Sequence, residues 1–424
     1  MHYLDESHIF IFLVQVLILL GLAKTLSVLC EAVKIPALTG EILAGIMLGP
    51  TLFGRVVPDA QLWLFPMDQI QWAMLDTVSW LGVFFLLLSS GFHINVNDAI
   101  RSGKAAFSIG IVGVLIPIAL GYPIFRTLDS AYWGAKADGL SFSLFLAVAC
   151  SITAISVVAR ALGDLKLNKT SESSLALSAC AVNDLFGWIL FTLLLSLISS
   201  HEVSTLELAG TVVGVVGFIF VSISFGPRLL KMVLNRIQAT SLPQPTASMT
   251  VLVSTGLLCG AATQFLGIHA VLGFFLAGII VGSTKGVSDK IQNSISNTLH
   301  AIFVPLFFAT IGLKVDFLEG LKLWPTLLFT VVAILGKFGG AWLGAKLGKV
   351  SPSRSVLMGI IFIPGGAMEI VVATLALELQ LIGQAIFVAI VFGALFSSIL
   401  VAPLIGIQTR KMGINKEATA KAQG

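Results

Sequence analysis

Long apolar runs separated by short polar stretches fill most of the chain. Thirteen can be counted, at residues 8–30, 36–50, 74–92, 104–126, 141–162, 171–198, 205–236, 246–266, 268–284, 296–313, 321–349, 354–377 and 383–408. A helix of about twenty apolar residues crosses a hydrocarbon core about 30 Å thick. Most of these runs reach that length, and the second and ninth are short enough to be tilted or partly re-entrant. The pattern predicts an all-α polytopic membrane protein with thirteen transmembrane helices.

Lysine and arginine give the direction of threading. Odd-numbered loops and the C-terminal tail hold seventeen of them: Lys34, Arg101, Lys104, Lys166, Lys169, Arg228, Lys231, Arg236, Lys285, Lys290, Lys346, Lys349, Arg354, Arg410, Lys411, Lys416 and Lys421. Even-numbered loops hold five, Arg55, Arg126, Lys136, Lys314 and Lys322. Positive residues stay on the cytoplasmic side, so the N-terminus is expected outside and the C-terminus inside. That arrangement requires an odd number of spans. The first run starts at Ile9 without a basic flank or small-residue cleavage site, and reads as a retained helix.

Two stretches look copied. Ile35-Pro-Ala-Leu-Thr-Gly-Glu-Ile-Leu-Ala-Gly-Ile-Met-Leu-Gly49 aligns without gaps on Ile268-His-Ala-Val-Leu-Gly-Phe-Phe-Leu-Ala-Gly-Ile-Ile-Val-Gly282. Phe84-Phe85-Leu86…Gly91 echoes Leu306-Phe307-Phe308…Gly312. The copies lie seven segments apart, an odd number, so the halves are expected to be inverted. Inverted repeats mark secondary transporters, whose ion sites sit on broken helices near the bilayer midplane. Breaks are predicted at corresponding places: Cys150-Ser-Ile-Thr-Ala-Ile-Ser156 in the fifth segment and Ile363-Pro-Gly-Gly-Ala-Met-Glu369 in the twelfth. Proline removes a ladder hydrogen bond and glycine weakens a helix; freed carbonyls and helix ends can then face a cation.

Against this background one acid stands out. Between Glu172 and His201, Asp184 is the only ionisable residue, and it falls near the middle of the sixth segment. A charge at that depth costs roughly 2.5–3.5 kcal/mol on insertion scales and marks an ion or proton pathway. Three further in-span charges are candidates. Lys337 lies between glycines in the eleventh segment and needs an acid partner. Glu369 follows the Pro-Gly-Gly break and can pair with Arg160 or Lys337, or join the ion pathway. Arg160 ends the fifth segment and can reach the cytoplasmic surface. His93 and His269, near helix ends, read as interfacial or packing residues.

Composition narrows the field of functions. The chain is 57% hydrophobic and 11% charged, with a mean hydropathy of +1.00; soluble proteins carry about a quarter charged residues. The net charge of +4 is dispersed over short loops, so no nucleic-acid partner is expected. The four cysteines show neither CxxC nor metal spacing and read as packing residues. HExxH, GxSxG and paired intramembrane aspartates do not occur, so an enzyme is not expected, nor any cofactor.

The motifs together resemble the second family of monovalent cation:proton antiporters, which includes bacterial sodium/proton and Kef-type potassium/proton antiporters and plant endomembrane cation exchangers. The resemblance rests on Pro36…Gly40-Glu-Ile-Leu-Ala-Gly…Leu48-Gly-Pro50, Ser151-Ile-Thr-Ala…Val158-Ala-Arg160, Asn183-Asp184, Gly336-Lys337 and Gly366-Ala-Met-Glu-Ile-Val372. It implies the sodium/proton antiporter fold with two crossing broken helices, an elevator mechanism, and a homodimer in lipid. By position it makes Asp184 the acid that binds monovalent cation or proton in turn. Asn183, Thr153 and Ser151 become cation/proton-site residues, and Lys337, Glu369 and Arg160 charge-compensating ones. The implied organisation is dimer-forming scaffold at 1–103 and 246–320, a linker helix at 199–245, transport core at 104–198 and 321–408, and a tail at 409–424.

Some positions depart from the family pattern. Many relatives have Asp-Asp where this chain has Asn183-Asp184. Gly365 stands where arginine is frequent, and Gly91-Phe92-His93-Ile94-Asn95 replaces an acidic Gly-Leu-Glu-x-Asp. With one acid fewer, electroneutral exchange of Na⁺ or K⁺ for protons is the expectation, in a bacterial inner membrane. The alternatives are a sodium-coupled organic-anion symporter of similar fold, which would carry more polar side chains around a larger cavity, and a cation channel, which would need a continuous polar file.

Overall fold

The computed structural model describes residues 5–33, 35–92, 94, 103–167, 170–199, 205–240 and 242–413. Lys34, His93, Asn95, Arg101, Lys169, His201, Lys416 and Lys421 lie outside the described residues, as does the tail beyond residue 413. The described chain is helical. Its helices are α1 (Glu6–Ala32), α2 (Ala37–Leu48), α3 (Phe53–Val56), α4 (Pro58–Leu64), α5 (Gln69–Phe92), α6 (Gly103–Phe125), α7 (Gly139–Ala149), α8 (Ile155–Asp164), α9 (Ser171–Ser199), α10 (Thr205–Gln238), α11 (Thr246–Phe265), α12 (Ala270–Ser283), α13 (Asp289–Lys314), α14 (Phe317–Gly320), α15 (Leu323–Leu347), α16 (Pro352–Ile361), α17 (Gly366–Glu378) and α18 (Gln384–Lys411).

Ten of the described spans are long and apolar enough to cross a bilayer, and eleven if α16 and α17, bent by 46° at their junction, form one. Two shorter apolar helices, α7 and α12, overlap the fifth and ninth apolar runs. Helix starts depart most from the apolar pattern. α5 begins at Gln69 rather than near residue 74, and α13 at Asp289 rather than near 296. Polar residues interrupt their first turns, where backbone hydrogen bonding carries the helix beyond the apolar run. Ser288 caps α13 by accepting the Lys290 N–H, which satisfies one of the free donors at a helix start. The short α3, α4 and α14 carry too few residues to leave a periodic signal.

The helices pack in two sets. In one, α1 lies on α2, and α2 and α5 both pack on α13, while α12 lies between α5 and α11. Several crossings in this set are backbone against backbone. A methyl on Gly45 would fall 1.9 Å from the Ala309 carbonyl oxygen and 2.8 Å from Gly312 Cα; one on Gly278 would fall 2.3 Å from the Leu88 carbonyl oxygen and 2.7 Å from Gly91 Cα. Glycine permits that approach where helices have only packing to hold them together. In the other set, α6 runs along α15 and against α9, and α18 packs on α15, α16 and α17. Ser108 on α6 donates to the Gly344 carbonyl of α15 at 2.8 Å.

The α7 start is fixed by a capping box, in which Asp138 accepts the Ser141 N–H and Ser141 Oγ accepts the Asp138 N–H. The Ser141 hydroxyl and N–H hold the Asp138 carboxyl below its usual range. The other end of α7 opens directly into the first break.

Candidate functional site

The two broken segments meet each other. Between α7 and α8 the backbone from Cys150 to Ala154 leaves the helix; between α16 and α17 so does Phe362 to Gly365. The Ala154 N–H donates to the Pro364 carbonyl at 3.0 Å, and Thr153 Oγ1 donates to the Phe362 carbonyl at 3.0 Å. The second break follows from its residues. Pro364 has no N–H to give, and Gly366 holds φ +54, where a methyl would also lie 2.7 Å from Ala154 Cβ and Val157 Cγ2. Such a conformation is glycine's.

The first break contains neither proline nor glycine and is held from outside. Asn183 on α9 accepts the Thr153 N–H at 3.1 Å through Oδ1, and its Nδ2 donates to the carbonyls of Ser151 (3.4 Å) and Gly110 (3.5 Å). The amide expected to help hold a cation thus clamps the unwound backbone with both of its ends. The Ser151 hydroxyl turns back to its own helix and donates to the Val148 carbonyl at 2.7 Å. Ser151 therefore enters the crossing through its carbonyl rather than its side chain.

Asp184 is next on α9 and is completely buried. Consecutive helical residues point about 100° apart, so Asp184 does not share the Asn183 clamp. Neither of its carboxylate oxygens has a hydrogen-bond partner among the described residues. Orphaned polar atoms of this kind are rare in folded interiors. Four residues, Ser151, Thr153, Asn183 and Asp184, are thus gathered at or beside the crossing.

Lys337 and Glu369 meet on the crossing as well. Both are buried, and Lys337 Nζ lies 3.5 Å from each Glu369 carboxylate oxygen and 3.5 Å from the Ile152 carbonyl. Of the partners open to Glu369 in the sequence, the structure selects Lys337. Gly365 makes room for this pair: a methyl there would fall 1.4 Å from Glu369 Oε2 and 3.0 Å from Lys337 Nζ. Arg160 stands apart. Its half-exposed guanidinium pairs with Glu31 of α1 at 2.5 Å, not with Glu369.

Other charged groups meet in the fold without a signal in the sequence. Glu41, noted only as a motif residue, is buried on α2. Lys314 of α13 pairs with Asp76 of α5 at 2.7 Å and Glu378 of α17 at 3.5 Å. These three line a cavity of about 20 Å³ together with Ser79, Thr310 and Thr374. Asp184 does not line it. Asp76 and Lys314 sit at the edges of apolar runs, and only the placement of α17 brings Glu378 to them. His269 caps α12 through Nδ1 and packs on Trp80, in keeping with a packing residue.

An all-helical, multi-pass architecture with a buried acid beside two crossing helix breaks defines an integral membrane protein of the ion-exchanger class. Residues 16–408 match the family described as sodium/hydrogen exchanger, transmembrane, and the chain belongs to that family. Similar proteins include Cation/H(+) antiporter 17 of Arabidopsis thaliana, 30% identical over 93% of this chain and 48% of the relative. Another is the Na(+)/H(+) antiporter NhaS4 of Synechocystis, 27% identical over 95% of this chain and 98% of the relative. The chain thus spans about half the length of several curated relatives it matches. The solved structure of the sodium proton antiporter MjNhaP1 from Methanocaldococcus jannaschii superposes with a TM-score of 0.73 at 16% identity, covering 95% of this chain and 99% of that one. That likeness establishes the fold. All three are transporters by name.

Proposed function

We propose that this chain exchanges a monovalent cation, Na⁺ or K⁺, for a proton at Asp184. The observation that carries the reading is the buried Asp184 carboxylate, whose two oxygens are unpartnered beside two crossing helix breaks. A carboxylate left in this state binds either a proton or a cation, because burying the bare charge is costly. Protonation removes the charge that holds the cation, so the two ligands exclude each other. Thr153 adds a hard oxygen: its hydroxyl donates to Phe362 and keeps lone pairs free. Ser151 contributes its carbonyl, and Asn183 keeps the unwound backbone in place. Lys337 and Glu369 neutralise each other, so Asp184 alone cycles and exchange is electroneutral. Arg160 balances charge at the cytoplasmic end against Glu31.

The reading extends to the whole chain as thirteen crossings in two inverted repeats, N-terminus outside and C-terminus inside. The swapped glycine crossings support the repeat: Gly45 and Gly278 align in the copied stretches, and each packs on the other copy's third- or tenth-segment glycine, Gly312 or Gly91. The set containing α6–α9 and α15–α18 is the moving core of an elevator. The set containing α1, α2, α5 and α11–α13 is the scaffold, with α10 as linker. The broad exposed apolar faces of α1 and α10, including Leu17 and Phe220, suit lipid and a second copy of the chain. A bacterial inner membrane is the proposed location.

Proteoliposomes under an imposed pH gradient test the exchange. Addition of Li⁺, Na⁺, K⁺ or Rb⁺ is expected to collapse the gradient with at least one cation. Gradient-independent cation flux would instead indicate a channel, and cation-coupled uptake of an organic anion a symporter.

Thr153→Val is expected to weaken apparent cation affinity more than maximal rate. It removes one oxygen from the site and leaves the Phe362 carbonyl without its donor, a loss of about 1–3 kcal/mol. Thr153→Ser should restore affinity. Unchanged affinity in Thr153→Val would confine Thr153 to holding the two breaks together.

A further inference from the structure

One turn beyond Asp184 lies a second unsatisfied polar group. Trp188 is 1% exposed, and its indole Nε1 has no hydrogen-bond partner among the described residues. Residues four apart share a helix face, with Cβ atoms about 5–6 Å apart. A helical side chain leans back over the turn N-terminal to its own Cα, so the indole leans over the turn that carries Asp184. Two orphaned acceptors and one orphaned donor thus occupy successive turns of one buried face. The same ring reaches across to α12, where its centroid lies 5.9 Å from that of Phe275, and it meets Phe191 edge-on at 5.8 Å. Phe275 is itself fully buried. A buried Trp N–H ordinarily has a hydrogen-bond partner, so the unspent Trp188 N–H is open to one.

We propose that Trp188 is a positioning residue of the transport site: its N–H is the donor that meets the ionised Asp184 carboxylate between departure of the cation and arrival of the proton, and its ring on Phe275 seals that carboxylate from α12. This assignment rests on the reading of Asp184 given above. A donor to the ionised form favours that form, so Trp188 supports the empty, ionised state of the cycle. Few charges compete for this role. The elements packed on α9 carry Lys104 (α6), Arg160 and Asp164 (α8), Glu207, Arg228, Lys231 and Arg236 (α10) and Arg354 (α16), while α7 and α12 carry none. Asp184 forms no ion pair with any of them among the described residues, Arg160 being engaged by Glu31 and Arg354 by Glu172. On α9 itself the nearest titratable neighbour is the Cys180 thiol, one turn earlier.

The test uses the full chain in proteoliposomes, with exchange measured across pH. Trp188→Phe keeps an aromatic ring on Phe275 and removes the donor. The half-activation pH is expected to move alkaline by about one unit, a tenfold change in proton concentration. Apparent cation affinity at alkaline pH should tighten about as much, because the empty ionised site has lost its donor, while at acidic pH it stays the same and maximal rate is retained. Trp188→Ala should in addition let protons leak when no transported cation is present; if it does not fold, Trp188→Phe decides alone. A Trp188→Phe profile that superposes on the unmodified protein overturns the assignment. Asp184→Asn, run alongside, separates the two levels. If it still exchanges, the reading of Asp184 fails; if it is inactive and Trp188→Phe is unshifted, only the role of Trp188 falls.

Discussion

Asp184→Asn is expected to abolish pH-gradient-driven exchange while the protein folds as before. The amide has the shape of the carboxyl but neither ionises nor carries a proton in turn with a cation. Because the Asp184 oxygens have no hydrogen-bond partner among the described residues, the substitution breaks no bond seen in the structure. It also removes the cost of a buried charge, so thermal stability should be equal or higher. Size-exclusion behaviour and melting temperature check the fold, and proteoliposome flux checks the function. A variant retaining even a third of the flux would remove Asp184 from the centre of the mechanism.

The Lys337–Glu369 pair should give the second large effect, and here it falls on stability. Both groups are buried, and breaking a buried pair by removing one partner costs about 3–5 kcal/mol because the other charge is left alone. Glu369→Gln and Lys337→Gln are each expected to lower the melting temperature sharply. Gly365→Ala should act like Glu369→Gln, since the new methyl takes the space of the Glu369 carboxylate. Lys337→Met with Glu369→Met removes both charges and should recover most of the loss. Exchange by this double variant should remain electroneutral on solid-supported membranes. A sustained cation-dependent current in the unmodified protein that vanishes in Lys337→Gln would instead make Lys337 a second proton carrier.

Much of this was legible in the residues. Asp184 shows itself by isolation, because a single acid in a long apolar run has few roles. The twelfth-segment break is written as Pro364-Gly365-Gly366, where covalent chemistry alone disfavours a helix. The break after Ala149 is written less plainly, since Cys150 to Ala154 contains no helix breaker; its cause is Asn183, thirty residues later in the case of Thr153. What stayed hidden depends on tertiary approach. Nothing in the sequence tells whether Lys337 turns to Asp184 or Glu369, and the choice follows from the crossing and the empty space at Gly365. The same holds for the ion cluster of Asp76, Lys314 and Glu378, drawn from three distant helices. The resemblance places Ser151 at the ion site without telling side chain from backbone; its hydroxyl satisfies the Val148 carbonyl, a common local alternative.

Apparent cation affinity titrated against pH, at saturating and limiting cation in proteoliposomes, puts competition at the Asp184 carboxylate to the test. If one proton and one cation share that group, affinity should weaken about tenfold for each unit of acidification below its titration range. It should level off on the alkaline side, and saturating cation should restore the same maximal rate at every pH. An affinity that stays constant with pH while the maximal rate falls would contradict the account, because cation and proton would then bind at separate places.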